Sequence, residues 1–170
     1  YPDGRVQHWT WQQVGDEVRR IARYLSELQL PEASNIALLG RNSAHWIMAD
    51  LAIWMAGHIS VPLYPTLNAD SAAYVLTHSE AKLLIIGKMD GKADGWHEIK
   101  TIIPADLPIL AMPLAPAELS QQPQWTQLIQ RISPLTELRL PCIEQVATII
   151  YTSGSTGQPK GVIHSFGNMM

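Results

Sequence analysis

The sequence predicts an open α/β fold, a mostly parallel sheet with helices on both faces, and three observations carry that prediction. Short apolar runs at residues 36–39, 59–64, 83–86 and 146–151 have the length and composition of buried strands. Stretches with helical character separate the early runs, which is the alternation that builds βαβ units. The first helical stretch is one-sided, with Val14, Val18, Ile21, Leu25 and Leu28 spaced to share a single face.

In chain order, Thr10 followed by Gln13 is a capping-box pattern that starts the first helix, and Pro31 ends it. Its polar face carries Asp16, Glu17, Arg19 and Arg20, all expected in solvent. A strand at 36–39 follows. Asn42 or Ser43 can cap a helix over 44–56, which Gly57 is placed to stop in the left-handed conformation. Residues 59–64 return as a strand, with Leu63 and Tyr64 expected in the core between Pro62 and Pro65. Ser71 is the expected cap of a helix running to about Ser79, and 83–86 is the next strand. From 87 to 141 the prolines at 104, 108, 113, 116, 123, 134 and 141 punctuate the pattern. That region reads as a loop-rich excursion with one helix over 124–132, before a last strand at 146–151. Open parallel sheets bind ligands beyond the carboxyl ends of their strands, so the segment after Tyr151 is where a site is expected.

A chain of 170 residues suits one domain that buries roughly 70% of its unfolded surface. Twelve basic against fifteen acidic side chains give a formal charge of -3 and no basic stripe, which argues against a nucleic-acid partner. A single cysteine, Cys142, excludes an intrachain disulfide and a cysteine-based zinc site; it is expected to be a buried or inert bystander in a reducing compartment. The histidines at 8, 45, 58, 78, 97 and 164 are too far apart in sequence to form a helical metal-binding pair, so no metal ligand is assigned. The most apolar long segment, 46–64, is interrupted by Asp50, Gly57, His58 and Pro62 and is too broken for a spanning helix. The tryptophans at 9, 11, 46, 54, 96 and 125 are expected mostly in the core.

The segment Thr152, Ser153, Gly154, Ser155, Thr156, Gly157, Gln158, Pro159, Lys160, Gly161 and Val162 has the composition of a phosphate-gripping loop. Glycines let backbone N–H groups approach phosphate oxygens, hydroxyls add donors, and Lys160 adds a positive charge. Spacing excludes three familiar motifs. The nucleotide-triphosphatase P-loop fails because Pro159 precedes Lys160 and Gly161 follows it. The serine-hydrolase elbow fails because Ser153 stands where a glycine is required before Ser155. No Gly-x-Gly-x-x-Gly dinucleotide fingerprint follows an early strand.

From Thr152 to Val162 the chain matches Thr-Ser-Gly-Ser-Thr-Gly-x-Pro-Lys-Gly-Val without a departure. It therefore resembles the adenylate-forming (AMP-binding) synthetases, the superfamily of acyl-CoA ligases, luciferases and peptide-synthetase adenylation domains. Val61 to Thr66, and Tyr74 to Lys82 with its His78-Ser79-Glu80-Ala81, resemble segments of long-chain fatty acyl-CoA synthetases. The resemblance implies that residues 1–170 are the N-terminal part of the large adenylation domain, with the remainder and the lid domain absent. It implies that the intact enzyme uses ATP and Mg2+ to convert a fatty acid into an acyl-adenylate, then transfers the acyl group to coenzyme A.

On that resemblance Thr152, Ser153, Ser155 and Thr156 are phosphate donors, Gly154 and Gly157 are backbone-approach positions, and Lys160 is the catalytic charge partner. Pro159 stiffens the turn. His164 is a further polar candidate, although family members commonly carry histidine where Phe166 stands here. Trp46 and Trp54 could share a face with an acyl tunnel or a partner surface. The chain alone is expected not to form acyl-adenylate. Alternatives are a fatty acyl-AMP ligase with another acceptor, or a non-catalytic nucleotide-binding module. The expected setting is cytoplasmic, without a transmembrane segment and with peripheral membrane attachment left open.

Overall fold

A computed structural model describes residues 6–89, 95–138, 140–152 and 158–169. Helix α1 (Trp11–Glu27) starts at the expected capping box: Thr10 accepts from the Gln13 backbone N–H, and the Gln13 side chain accepts from that of Thr10. Strand β1 (Asn35–Leu39) leads into α2 (Ala44–Met55), capped by Ser43, whose hydroxyl accepts from the Trp46 N–H. Gly57 ends that helix at φ 80°, as a left-handed stop requires. The chain continues through β2 (Ile59–Leu63), α3 (Ala69–His78), β3 (Leu83–Ile86), α4 (Trp96–Ile102) and β4 (Ile109–Ala111). It closes with α5 (Trp125–Arg131), β5 (Val146–Thr152) and β6 (Lys160–Ser165).

Among the described residues the strands form one sheet in the order β4-β3-β1-β2-β5-β6. Every neighbouring pair is parallel except the last, where β5 and β6 run antiparallel. The central strands are apolar on both faces because both are covered. Ile36, Leu38, Leu83 and Ile85 pack with α1, α2 and Trp125 of α5, whereas Ala37, Leu39, Leu84 and Ile86 pack with α3 and α4. Each buried leucine or isoleucine contributes about 1.5–3 kcal/mol. No helix among the described residues is long and apolar enough to cross a membrane.

Several expectations need correction. Helix α3 is capped by Asn68, whose side-chain oxygen accepts from the Ser71 N–H, so Ser71 lies inside the first turn. Strand β2 stops at Leu63; Tyr64 is 58% exposed, and its carbonyl accepts from the Leu67 N–H to open a turn at Pro65. The excursion from 87 to 141 also contains α4 and β4. β4 is an outer strand beside β3 with prolines just outside its ends, where they disturb no ladder bond. Cys142 is exposed rather than buried, and its thiol donates to the Glu144 carboxylate. Trp11 is 89% exposed, the exception to the packing expected of the tryptophans.

Glu17 departs furthest from its expected place in solvent. Its side chain is 16% exposed, and its two oxygens accept the indole N–H groups of Trp9 at 2.9 Å and Trp125 at 3.0 Å. His45 Nε2 lies 3.8 Å from the same carboxylate, and its ring meets both indoles edge to face. Burial lowers the His45 pKa more than Glu17 raises it, so at neutral pH this is a ring contact rather than an ion pair. Asp16, by contrast, is solvent-facing and pairs with Arg20 one turn along.

Candidate functional site

The glycine- and hydroxyl-rich segment connects β5 to β6, so it spans a hairpin on the outer edge of an otherwise parallel sheet. Strand β5 is anchored at its amino end. Thr148 lies opposite Ser60 of β2 and donates its hydroxyl to the Ser60 carbonyl at 2.9 Å. The Trp54 indole of α2 donates to the Ala147 carbonyl at 2.7 Å. Trp54 also meets Phe166 edge to face, which gives Phe166 a packing role at the end of β6. The Trp54 indole is thus committed to the β5–β6 hairpin.

At the other end of the hairpin the ladder sets Tyr151 opposite Gly161 and Thr152 opposite Lys160. Thr152 and Lys160 are both exposed and stand at the two feet of the loop. Lys160 forms no ion pair with any described residue, so its charge is not committed to a neighbouring carboxylate. Pro159, immediately before β6, is half-buried. Ser153, Gly154, Ser155, Thr156 and Gly157, the remaining predicted phosphate contacts, lie outside the described residues. His164 lies opposite Thr148 in the ladder and is half-buried, toward the end of β6 away from the loop.

The described hairpin, residues 146–152 and 158–169, contains no Asp or Glu. At the feet of the loop the described hairpin offers the Thr152 hydroxyl and the Lys160 ammonium, with no carboxylate among its described residues. The described residues contain no group of three or more metal-ligating side chains, so no magnesium ligand is assigned here. A cavity of about 580 Å³ lined by Leu30, Trp54, His58, Leu135 and Gln145 lies at the amino ends of the strands, opposite the loop.

One contact at the site was not read from the sequence. His78, the last residue of α3, is hydrogen-bonded through Nδ1 to the Tyr151 hydroxyl at 2.7 Å. The two residues are 73 apart in sequence, and no local pattern reveals the pairing.

A parallel α/β sheet continued by an antiparallel hairpin that carries this loop defines a class, the N-terminal architecture of adenylate-forming enzymes. An anthranilate CoA ligase solved in complex with anthranoyl-AMP superposes with a TM-score of 0.79 at 24% identity, over 94% of this chain and 30% of that one. The chain belongs to the AMP-binding enzyme family, whose profile matches residues 1–170. It is 28% identical over 173 residues to a long-chain-fatty-acid–CoA ligase of Rattus norvegicus, covering 94% of this chain and 25% of the relative. It is 31% identical over 183 residues to fatty acyl-CoA synthetase A of Dictyostelium discoideum, covering 99% of this chain and 26% of the relative. The chain thus spans about a quarter of the length of these curated relatives.

Proposed function

We propose that this chain is the N-terminal part of the large domain of an ATP-dependent fatty acyl-CoA ligase. In the first step the fatty-acid carboxylate attacks the α-phosphorus of ATP; the bond to the β-phosphate oxygen breaks, leaving acyl-adenylate and pyrophosphate. In the second the coenzyme A thiol attacks the acyl carbon, AMP leaves with the bonding electron pair, and the thiol proton is released. The observation that carries the reading is the placement of Thr152 opposite Lys160 at the feet of a glycine-rich loop, at the carboxyl end of β5.

ATP with Mg2+ supplies the electrophilic phosphorus and the diphosphate leaving group. The chain's own residues act on the charge that departs. Lys160 offers a positive charge, Thr152, Ser153, Ser155 and Thr156 offer hydroxyl donors, and Gly154 and Gly157 leave the backbone amides open to phosphate oxygens. Such groups stabilise the leaving group most when they are fixed in advance, and the antiparallel ladder fixes the two feet of the loop. A hydrogen bond to a charged group contributes about 1.5–3 kcal/mol, equivalent to a factor of about ten to a hundred in rate.

These relatives, one named a long-chain-fatty-acid–CoA ligase and the other a fatty acyl-CoA synthetase, support a fatty acid as the substrate and coenzyme A as the acceptor. The test uses the full-length protein with ATP, Mg2+ and a panel of short, medium, aromatic and long-chain acids, with and without coenzyme A. Acid-dependent ATP–pyrophosphate exchange and thioester formation, both strongest with long chains, are expected. Exchange without any thioester would redirect the acyl group to another acceptor, and no exchange with any acid would overturn the reading.

A further inference from the structure

The ring of Tyr151 is held on two sides. Across the β5–β6 ladder it covers Gly161, where an added methyl would lie 3.1 Å from its Cζ. At its other end the hydroxyl is bonded to His78 Nδ1 at 2.7 Å, with the two rings edge to face at 5.7 Å. Tyr74, one turn earlier on α3, stacks against His78 with centroids 5.1 Å apart. The phenol is buried among residues of the α3 and α4 face, whereas His78 itself is exposed at the end of its helix.

The chemistry keeps this contact in both states of the imidazole. Burial, with a smaller contribution from Tyr74, raises the Tyr151 pKa, so the phenol retains its proton. Its O–H donates to Nδ1 when that nitrogen carries no proton, and an Nδ1–H donates to the phenol oxygen instead. The ladder between β2 and β5 pairs Ser60 with Thr148, on the amino side of Tyr151. Toward the loop, the side-chain bond that ties β5 to a helix among the described residues is the one from His78.

We propose that His78 is a positioning residue for the two strand ends, at Thr152 and Lys160, that flank the phosphate loop. Acting through Tyr151, it fixes the carboxyl end of β5 and, across the ladder, the places of Gly161 and Lys160. The contacts His78 makes are with Tyr151 and Tyr74. The inference rests on the functional reading above for its consequence, and on geometry alone for its mechanical part.

The test uses the full-length protein with MgATP and palmitate. His78→Leu and Tyr151→Phe are each expected to raise the KM for MgATP in pyrophosphate exchange about three- to tenfold, the effect of one ordinary hydrogen bond, with the KM for palmitate unchanged. His78→Asn, whose amide can place a donor or acceptor near the position of Nδ1, is expected to restore the KM to within about twofold of the parent. The double variant is expected to be no worse than the poorer single one, because both remove the same bond. An unchanged KM for MgATP, failure of the asparagine to rescue, or losses that multiply would overturn the proposal.

A second measurement separates this from the functional reading. Hydrogen exchange at the Thr152 and Lys160 amides is expected to quicken in His78→Leu while exchange along α1 stays the same. Unchanged exchange at those amides overturns the positioning role whether or not the protein is active. Absence of pyrophosphate exchange in the parent protein would instead overturn the functional reading alone.

Discussion

Tyr151 lies directly opposite Gly161 in the β5–β6 ladder, and its ring occupies the space that a side chain at 161 would need. A methyl there would come within 3.0 Å of Ile149 Cγ2 and 3.1 Å of Tyr151 Cζ, closer than carbon atoms ordinarily approach. Gly161→Ala must therefore push one ring or one aliphatic branch aside. It is expected to cost about 1–3 kcal/mol of stability, as overpacking does, and to slow pyrophosphate exchange by moving Lys160. Urea unfolding and exchange assays on the full-length protein check both; a variant that matches its parent in each would show that the hairpin yields freely.

Glu17 joins two distant parts of the chain, since its oxygens take the indole N–H groups of Trp9 and of Trp125, 108 residues on. Glu17→Ala leaves two part-buried donors without a partner and is expected to cost about 2–4 kcal/mol. Glu17→Gln keeps one acceptor oxygen and should lose roughly half as much. Chemical denaturation distinguishes these outcomes from the near-zero change expected of a solvent-facing helix charge.

Two histidines give the fold a defined acid sensitivity. Burial lowers the pKa of both His45 and His58 from 6.5, with Glu17 partly opposing the shift at His45. As pH falls below the unfolded value, the unfolded chain binds protons that the folded chain refuses, so stability drops. Above that value both states leave the rings neutral and the contribution is constant. The melting temperature is expected to hold between about pH 8 and pH 7 and to decline toward about pH 5, and His58→Phe should flatten the decline. A melting temperature that rises on acidification would contradict the assignment.

The legible parts of the fold were those written in local chemistry. The period of Val14 to Leu28 and the Thr10–Gln13 box specified α1, and the unbroken apolar runs of β1 and β3 specified buried parallel strands. The loop after Tyr151 was legible as a motif. What escaped depended on distant partners or on brief patterns. β4 is three residues long between prolines, and β6 exposes Val162 and Ile163 at the sheet's outer edge, so neither shows a buried strand's apolar run. Glu17 sits among charged neighbours on α1, and nothing near it in sequence announces the indole of Trp125. Asn68 and Ser71 both favour helix starts, and only the backbone geometry decides that Asn68 caps while Ser71 donates its N–H.

The most direct measurement is acid-dependent ATP–pyrophosphate exchange by the full-length protein carrying Lys160→Ala, with the unfolding midpoint recorded alongside. Lys160 is exposed and unpaired among the described residues, so the midpoint should not move, while exchange should fall about ten- to a hundredfold as one charge-stabilising contact is lost. Exchange at the parental rate, with ATP bound as tightly as before, would contradict the claim that this hairpin holds the departing diphosphate.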